Sequence, residues 1–514
     1  MPEESIVIKL FQINKILMKI SQYIILMLLI SLAACNENTS VNYYTEKHRP
    51  QFHFSPEANW MNDPNGMVYY EGEYHLFYQY YPDSTVWGPM HWGHAISKDM
   101  VHWQHLPVAL YPDSSGYIFS GSAVVDHANT AGFQTGNEQS MVAIFTYDKK
   151  GFETQAIAYS NDRGRNWSKY ENNPVLGNPG EKDYRDPKVF WHEASQHWIM
   201  SLAVSKRIEF YRSKDLKSWE KTGAFGNAGS LIGVWECPDL FELKVEGTDE
   251  SKWVLLVSVD KGSPQGGSGT QYFIGYFDGS TFINHYDSAR TVWIDYGKDN
   301  YAGVTWSNVP DERTLFLGWM SNWQYAQLVP TEKWRSAMTI PRSLHLKSIE
   351  GQFILASLPV VELQELRKNE NSLKPGKVFP VKSGLMELQV QFDLTASDAT
   401  DFGVEFMNSK QERLLVGYNR STNQFYVDRT YAGDASFSAD FPGKFFAPRF
   451  SKAGVIDLHI LLDHASVEVF ADGGSVALTT IFFPTEPMRS AGIFELGGQA
   501  KVIDNKIFEL RRIW

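Results

Sequence analysis

The feature that most constrains the fold of this chain is a close succession of short apolar and aromatic runs separated by turn residues. Residues 66–80 (GMVYYEGEYHLFYQY), 140–147 (SMVAIFTY) and 252–259 (KWVLLVSV) have the length of strands and are rich in β-branched and aromatic side chains. No long stretch shows helical periodicity before residues 360–368 (VVELQELRK). The pattern predicts an all-β protein.

A loose internal repeat divides the strand-rich region. A Ser-x-Asp turn follows a strand-like run and leads to an aromatic residue in segments 97–103, 160–167 and 213–219, and segment 277–282 is a weaker copy. Strand-built repeats of about 40–50 residues or more are typical of β-propellers, whose blades each contain four antiparallel strands. We therefore predict a five-bladed β-propeller over residues 50–345. The alternative is that surface turns recur by composition alone.

The character of the chain changes near Leu344. Residues 346–372 have the composition of a linker with one short helix. Residues 373–514 contain alternating apolar and polar positions in short runs such as LMELQVQFDL and ASVEVFAD. Alternation of this kind, interrupted by polar turns, is typical of a sandwich of two antiparallel sheets. We expect the propeller to be followed by a C-terminal β-sandwich.

The N-terminal segment has the features of a secretory signal. Residues 23–34 (YIILMLLISLAA) are apolar and follow Lys15 and Lys19, but the run is too short to span a bilayer. It ends in Leu-Ala-Ala-Cys, which resembles the bacterial lipoprotein signal. The resemblance implies that residues 1–34 are removed, and that lipidated Cys35 with the tether 35–49 anchors the protein to the cell envelope, on its periplasmic or outer face. A buried helix is the alternative.

Composition excludes several other classes of protein. The 47 Lys and Arg residues against 59 Asp and Glu give a formal net charge of −12, which disfavours nucleic-acid binding. Two Cys residues exclude a disulfide framework. His91 and His94 lie three apart among aromatic residues, where a structural role is favoured over zinc, so we expect no metal and no cofactor. We also expect a monomer.

Three acidic residues have unusual neighbours. Asp63 lies in WMNDPNG, Asp186 in YRDPKV and Glu236 in WECPD, each just before a strand-like run. Taken alone, Asp63 is also compatible with a capped tight turn, and Asp186 with a salt bridge to the adjacent Arg185. Glu236 lies among Trp, Val, Cys and Pro, and apolar surroundings raise the pKa of a carboxyl group, which suits a general acid.

The distribution of the three acids over separate blades favours a shared pocket. The inner strands of a propeller converge on its central channel, so residues near strand starts in different blades can meet there. Cleavage of a glycosidic bond needs two carboxyl groups, one to protonate the leaving oxygen and one to attack or to activate water. A third acid can bind sugar hydroxyls and favour the positive charge that develops on the ring. Together the motifs indicate a glycosidase.

WMNDPNG, YRDPKV and WECPD resemble the three signature blocks of glycoside hydrolase family 32, which includes invertases, levanases and inulinases. The resemblance covers nearly all of the chain after the signal segment, and the family fold, a five-bladed propeller plus a sandwich, agrees with the division above. It implies that Asp63 is the nucleophile that forms a covalent fructosyl intermediate, that Glu236 is the acid/base, and that Asp186 stabilises the transition state. Net retention is then expected, with the Asp63 and Glu236 carboxyl groups about 5–5.5 Å apart.

The same resemblance implies a set of residues that bind the fructosyl unit. Aromatic faces cover the apolar side of a sugar, while amide and hydroxyl groups bind its hydroxyls. The expected substrate-binding residues are Asn62, Gln79, Trp87, Phe119, Ser120, Arg185 and Trp319. Cys237, next to the acid/base, is expected to be a small packed side chain and not a nucleophile.

The identity of the substrate stays open at this point. Sucrose, inulin (β-2,1) and levan (β-2,6) present the same terminal fructosyl unit to the deepest pocket, so selectivity depends on rim loops such as 261–269 and 326–333. We expect an exo-acting hydrolase of fructans or fructo-oligosaccharides. The alternatives are an endo-acting levanase or inulinase, a fructosyltransferase, and a non-catalytic fructan-binding lipoprotein, for which degenerate catalytic carboxylates would be required.

Overall fold

The computed structural model describes residues 11–22 and 43–514. Residues 11–22 are helical. Within the two described ranges, no helix has the length and apolar content needed to cross a membrane. The apolar run 23–34 and the proposed lipidation site Cys35 lie outside the described residues. Two compact units divide the chain, Met1–Thr45 and Glu46–Trp514, and the strands described below belong to the second.

Five antiparallel sheets follow one another along residues 59–359 and form the blades of a propeller. Blade 1 contains β1 (Asn59–Tyr70), β2 (Glu73–Tyr81), β3 (His91–Ser97) and β4 (Trp103–Leu110). Blade 2 contains β5 (Tyr117–Asp126), β6 (Ser140–Lys149), β7 (Phe152–Ser160) and β8 (Ser168–Lys169). Blade 3 contains β9 (Tyr184–His192), β10 (His197–Val204), β11 (Arg207–Ser213) and β12 (Glu220–Gly226). Blade 4 contains β13 (Trp235–Lys244), β14 (Ser251–Val259), β15 (Gly269–Phe277), β16 (Phe282–Asn284) and β17 (Val292–Trp293). The last stretch contains β18 (Tyr301–Thr305), β19 (Thr314–Met320), β20 (Trp334–Arg335), β21 (Ala337–Met338), β22 (Arg342–Ile349) and β23 (Gln352–Pro359).

The blades close into a ring around a central channel. Strands β1, β5, β9, β13 and β18 are the innermost of their blades, and each contacts the next, with β18 returning to β1. Strand β20 leaves the fifth blade and pairs in parallel with β1, so that a late segment of the propeller completes the first blade. The predicted all-β fold with a five-bladed propeller is confirmed.

The sequence repeat marks the same turn in successive blades. The Ser97 hydroxyl donates a 3.0 Å hydrogen bond to the Asp99 carboxylate, and the Trp103 indole N–H closes the turn onto a backbone carbonyl. Blades 2 and 3 repeat both contacts with Ser160 and Trp167, and with Ser213 and Trp219. In these three blades the turn joins the third strand to the fourth. The Asp side chain stabilises it by accepting hydrogen bonds from the exposed backbone N–H groups of the turn.

The predicted boundary between the two domains is wrong. A propeller ending at residue 345 would cut through β22, and the proposed linker 346–372 contains all of β23. These two strands pair along their whole length and form the outer part of blade 5. The predicted short helix is present as a 3-10 helix, Val361–Leu366, between the two domains.

The C-terminal domain is a sandwich of two six-stranded antiparallel sheets, as predicted. The first sheet contains β24 (Arg367–Asn371), β26 (Met386–Asp393), β31 (Val455–Leu462), β32 (Ser466–Ala471), β33 (Val476–Ile481) and β35 (Lys501–Leu510). The second contains β25 (Phe379–Pro380), β27 (Asp401–Met407), β28 (Arg413–Asn419), β29 (Gln424–Tyr431), β30 (Lys444–Pro448) and β34 (Ser490–Leu496). Its inward-facing side chains form one core that continues into blades 3 and 4. The sandwich is thereby packed firmly against the propeller.

A fully buried set of charges, here called the interface cluster, joins the two domains. Its members are His53, Asp295 and Arg342 from the propeller side and Asp463 and Glu468 from the sandwich, each at most 5% exposed. Arg342 bridges Asp295 (2.9 Å) and Glu468 (2.5 Å). The two ring nitrogens of His53 lie 2.8 Å from Asp463 and 2.9 Å from Glu468. Every charge in the cluster therefore has a partner of opposite sign.

Candidate active site

The innermost strand of every blade carries a β-bulge near its start. At each of these places the inner strand has one more residue than the strand it pairs with. The bulges fall within residues 61–64, 118–121, 185–188, 236–239 and 301–304. A bulge bends its strand and changes the direction of the side chains beside it. Five such bends around one axis bring side chains from all five blades to the same mouth of the channel.

Local sequence explains where three of the bulges form. Pro64, Pro187 and Pro238 stand at the bulges of blades 1, 3 and 4, and proline has no N–H to contribute to a strand ladder. Asp186 and Cys237 adopt left-handed backbone conformations with φ of 64° and 45°. Such values are uncommon for residues other than glycine and are concentrated at functional sites. The acid–proline motifs thus determine strand geometry as well as chemistry.

The bulged residues surround a cavity of about 670 Å³. Nine of the ten residues expected to cleave or bind substrate line it: Asn62, Asp63, Gln79, Trp87, Phe119, Ser120, Arg185, Asp186 and Glu236. The cavity is larger than one sugar unit needs, and its wall combines carboxyl groups, amides and aromatic rings. This is the composition expected of a carbohydrate site.

Asp63, from blade 1, is held by donors from three directions. The Ser120 hydroxyl donates to Oδ2 (2.8 Å), the Asn62 amide donates to Oδ1 (3.0 Å), and the Cys237 thiol lies 3.5 Å from Oδ2. Asn62 is itself fixed, since its Oδ1 accepts the Trp60 indole N–H at 2.8 Å. Burial raises the pKa of Asp63, and these three donors partly offset the effect. The carboxylate is therefore oriented and weakly solvated, as a nucleophile requires.

Asp186, from blade 3, lies close to Asp63. Its Oδ2 accepts the backbone N–H of Cys237 at 3.0 Å, and the Cys237 Sγ that contacts Asp63 is 3.6 Å from the same oxygen. Burial raises the pKa of Asp186, and the charge of Asp63 raises it further against the opposing effect of Arg185. Cys237 is thus a packed thiol between two carboxyl groups. Burial beside these acids raises the pKa of its thiol, which disfavours the thiolate form that a nucleophile needs.

Glu236, from blade 4, makes a different set of contacts. Arg185 donates from Nε (3.2 Å) and Nη2 (2.9 Å) to its Oε1, and the Tyr301 hydroxyl donates to its Oε2. Burial raises the pKa of Glu236, and although Arg185 opposes this, the nearby charges of Asp186 and Asp63 reinforce it. A carboxyl group that keeps its proton near neutral pH is suited to act as a general acid.

Models of known protein families match both domains of this chain. Residues 53–357 match the model described as "Glycosyl hydrolases family 32 N-terminal domain", and residues 360–509 match "Glycosyl hydrolases family 32 C terminal". The chain belongs to glycoside hydrolase family 32. It is therefore an O-glycosyl hydrolase.

Individual relatives of this family 32 member are similar over most of their length. A levanase of Bacillus subtilis is 48% identical over 95% of this chain and 74% of the relative. An extracellular exo-inulinase of Aspergillus awamori is 36% identical over 92% and 96%. The crystal structure of exo-inulinase from that fungus superposes with a TM-score of 0.88 at 35% identity, over 92% of this chain and 100% of the other. A β-fructofuranosidase from Schwanniomyces occidentalis, complexed with fructosyl-erythritol, gives a TM-score of 0.85 at 35% identity, over 92% and 100%.

One sequence-based assignment in this glycosidase is wrong. Trp319 was expected to contact the sugar, but it is fully buried on β19. It is Trp323 that lines the cavity, with its ring 4.9 Å from Trp319 and stacked 5.9 Å from Trp60. The reason is that β19 is the second strand of its blade and faces packed neighbours, whereas the loop after it returns to the channel mouth. Trp319 supports Trp323 from behind.

Several residues of the glycosidase site could not be found from the motifs. Tyr301 and Glu153 line the cavity from blades 5 and 2. Tyr301 donates a hydrogen bond to Glu236, and Glu153 accepts one from Arg185. Asp260 and Gln327 also line the cavity. Tyr301 is the first residue of the fifth inner strand and faces the cavity. It could have been predicted if the start of that strand had been located exactly. Glu153 lies on an outer strand, where the sequence shows no such signal.

The rim loop 261–269 is attached to both domains. The side chain of Asn322 donates to the carbonyl oxygens of Gly266 and Ser268, both at 3.4 Å. Gln265 donates a 2.6 Å hydrogen bond to the Phe446 carbonyl of the sandwich. The loop lies beside the segment that carries Trp323, so the sandwich contributes to holding one side of the cavity mouth.

Proposed function

We propose that this protein is a retaining fructan hydrolase that removes terminal β-D-fructofuranosyl units from levan, inulin or fructo-oligosaccharides. The observation that carries the proposal is the contrast between Asp63 and Glu236 across one cavity. Burial raises the pKa of both carboxyl groups. The three donors around Asp63 oppose the effect of burial, whereas at Glu236 the charges of Asp186 and Asp63 add to it against the opposing charge of Arg185. The levanase and exo-inulinase relatives support fructans as the substrate class.

The mechanism we propose has two steps. In the first, Asp63 attacks the anomeric carbon of the fructosyl unit while Glu236 transfers its proton to the leaving oxygen, which gives a covalent fructosyl-enzyme. In the second, the Glu236 carboxylate accepts a proton from water, and the resulting hydroxyl displaces Asp63. Asp186 lies next to Asp63, where its negative charge stabilises the positive charge that develops on the ring.

The remaining cavity residues are suited to bind the fructosyl unit. Gln79 is 2% exposed, and within the described part of the chain its Nε2 has no hydrogen-bond partner, so this donor is available for a sugar hydroxyl. Trp87 and Phe119 form an edge-to-face pair with ring centroids 6.2 Å apart on one side of the cavity. Trp323 provides an aromatic face of its own. Such faces cover the apolar side of a sugar ring.

The decisive experiment is a chromatographic time course of the purified protein on sucrose, inulin and levan. We expect fructose from the earliest time points and no intermediate oligosaccharides. An early ladder of oligosaccharides would show endo action. Added methanol should trap the intermediate as methyl β-D-fructofuranoside, and the α anomer would contradict retention. Transfer of fructose to sugar acceptors in preference to water would indicate a fructosyltransferase, and no product from any substrate would favour a binding protein.

We further propose that the protein is a monomer anchored to the cell envelope through lipid on Cys35. The apolar run 23–34 followed by this cysteine supports the proposal. Mass spectrometry of the mature protein from membranes should show a lipid-modified N-terminal Cys35. A soluble product with residues 1–34 still attached would contradict it, and light scattering would test the monomer.

A further inference from the structure

Glu153 is a buried carboxyl group of the cavity for which the mechanism above has no step. It lies on β7, the third strand of blade 2, and is 4% exposed. Its Oε2 accepts the backbone N–H of Tyr184 at 2.5 Å, and its Oε1 accepts a hydrogen bond from Arg185 Nη1 at 2.8 Å. Both partners lie at the start of the inner strand of blade 3, so Glu153 connects blades 2 and 3 at the wall of the cavity.

Arg185 divides its donors between this carboxylate and the acid/base. Nη1 contacts Glu153 and, at 3.0 Å, Asp183, while Nε and Nη2 contact Glu236. The guanidinium group is planar and rigid, so fixing Nη1 also fixes the direction of the other two nitrogens. The position of Glu153 therefore determines how Arg185 approaches Glu236.

The balance of charge around Glu236 follows from this geometry. The groups that face it are Arg185 and Asp186 from β9, Asp63 from β1, Tyr301 from β18 and Cys237 on its own strand. On the other side, Glu153 and Asp183 face Arg185, and Asp148 lies opposite Glu153 on β6. Arg185 is the cation that touches Glu236, and Glu153 neutralises part of its charge.

We propose that Glu153 is a positioning residue that holds Arg185 and offsets its charge, and so keeps Glu236 in the proton-donating form needed for the first step. The inference rests on the proposed function and adds a residue to its machinery. Without the negative charge of Glu153, the full charge of Arg185 acts on Glu236 and favours its carboxylate. The acid/base would then lose its proton at lower pH.

The test is the pH profile of kcat/KM on sucrose for the wild type and for Glu153→Gln, which keeps the size of the side chain and removes its charge. We expect the basic limb of the variant to move to lower pH by about one unit. Glu153→Asp retains the charge, so its basic limb should lie closer to that of the wild type than the limb of Glu153→Gln does. Asp183→Asn removes the other carboxylate that contacts Arg185 Nη1. The Asp183 side chain is 34% exposed, so the basic limb of this variant should move in the same direction by a smaller amount.

A second substrate separates this role from a structural one. An aryl β-D-fructofuranoside with a good leaving group needs little protonation, so the loss of rate in Glu153→Gln should be several-fold smaller on it than on sucrose. Glu209→Gln is the matched control. Glu209 is a 1% exposed carboxylate of blade 3 that holds Arg207 outside the cavity. This change should lower stability and leave the basic limb in place.

The outcomes distinguish the two proposals. An active wild type whose basic limb does not move in Glu153→Gln, with equal losses on both substrates, would overturn this inference alone. If that variant does not fold, an unchanged basic limb in Asp183→Asn would overturn it. A wild type without activity on any fructoside would contradict the proposed function itself, whatever the variants do.

Discussion

Two buried clusters of charge in this protein use similar residues and have opposite effects on them. In the interface cluster, Arg342 and His53 together contact three carboxylates. In the active site, Asp63, Asp186 and Glu236 share one cavity, where Arg185 contacts Glu236 and is also bound to Glu153. Both clusters are removed from water, but compensation is nearly complete in one and deficient in the other.

The difference in compensation determines the direction of the pKa shifts. Burial would raise the pKa values of Asp463 and Glu468, yet contacts with His53 and Arg342 lower both below their usual values. Burial would lower the pKa of His53, but its two carboxylate partners raise it to about 9. In the active site the pKa values of all three acids are raised. A buried carboxyl group thus stabilises the fold where cations surround it, and its pKa is raised where other acids surround it.

The largest expected effect separates activity from stability in the active site. Asp63→Asn should lower kcat by about 10⁴-fold or more, because Asp63 is the group proposed to form the covalent intermediate and an amide is a poor nucleophile. The melting temperature should not fall, since the change removes a poorly compensated charge. Initial rates with excess sucrose and a thermal melt measure the two effects. Turnover within about tenfold of the wild type would refute the assignment of the nucleophile.

The converse effect is expected at the interface. Arg342→Met should lower the free energy of unfolding by about 3–5 kcal/mol, because Asp295 is left buried without its cation and Glu468 retains only His53. Activity per folded molecule should be unchanged at low temperature. Arg212→Met is the control, since its ion pair with Glu220 is largely exposed and should contribute less than about 1 kcal/mol. Equal losses in the two variants, measured by urea unfolding, would contradict the distinction.

The pH dependence of stability sharpens the comparison further. The pKa of His53 is raised from 6.5 to about 9, so its stabilising contribution is complete below pH 6.5 and is lost as pH rises to about 9. The loss should amount to up to about 3 kcal/mol. Urea unfolding at both ends of this window should show a larger decrease for the wild type than for His53→Gln. Parallel decreases in the two proteins would show that His53 is not charged in the fold.

The last comparison concerns Glu236, the proposed acid/base. Because the pKa of Glu236 is raised, its charge costs stability as pH rises above the usual carboxyl value of 4.5. Glu236→Gln should therefore be more stable than the wild type in alkaline buffer, and similar to it near pH 4.5. Glu468→Gln should be less stable than the wild type in the same buffers. A Glu236→Gln protein that is less stable in alkaline buffer would mean that Arg185 fully compensates the charge.

Short motifs made much of the site predictable. Asp63, Asp186 and Glu236 each lie in a run of a few residues that contains both the acid and the proline of the bulge. The recurrent Ser-x-Asp turn predicted the blades, since its hydrogen bonds involve residues only a few positions apart. The same locality explains the errors. The end of blade 5 depends on pairing between β22 and β23, and Trp323 faces the cavity because a loop returns to it, and neither depends on a local pattern.

Local patterns were enough to predict the strand-rich fold, the order of propeller and sandwich, and the three acids, because each follows from residues within a short stretch of chain. How those acids behave depends on the folded arrangement of the blades. Tyr301 and Glu153 reach the site from other blades, and Arg185 lies between Glu153 and Glu236 only when blades 2, 3 and 4 are packed side by side. Protonation depends on the distances between charges and on their burial, and both are properties of the folded channel.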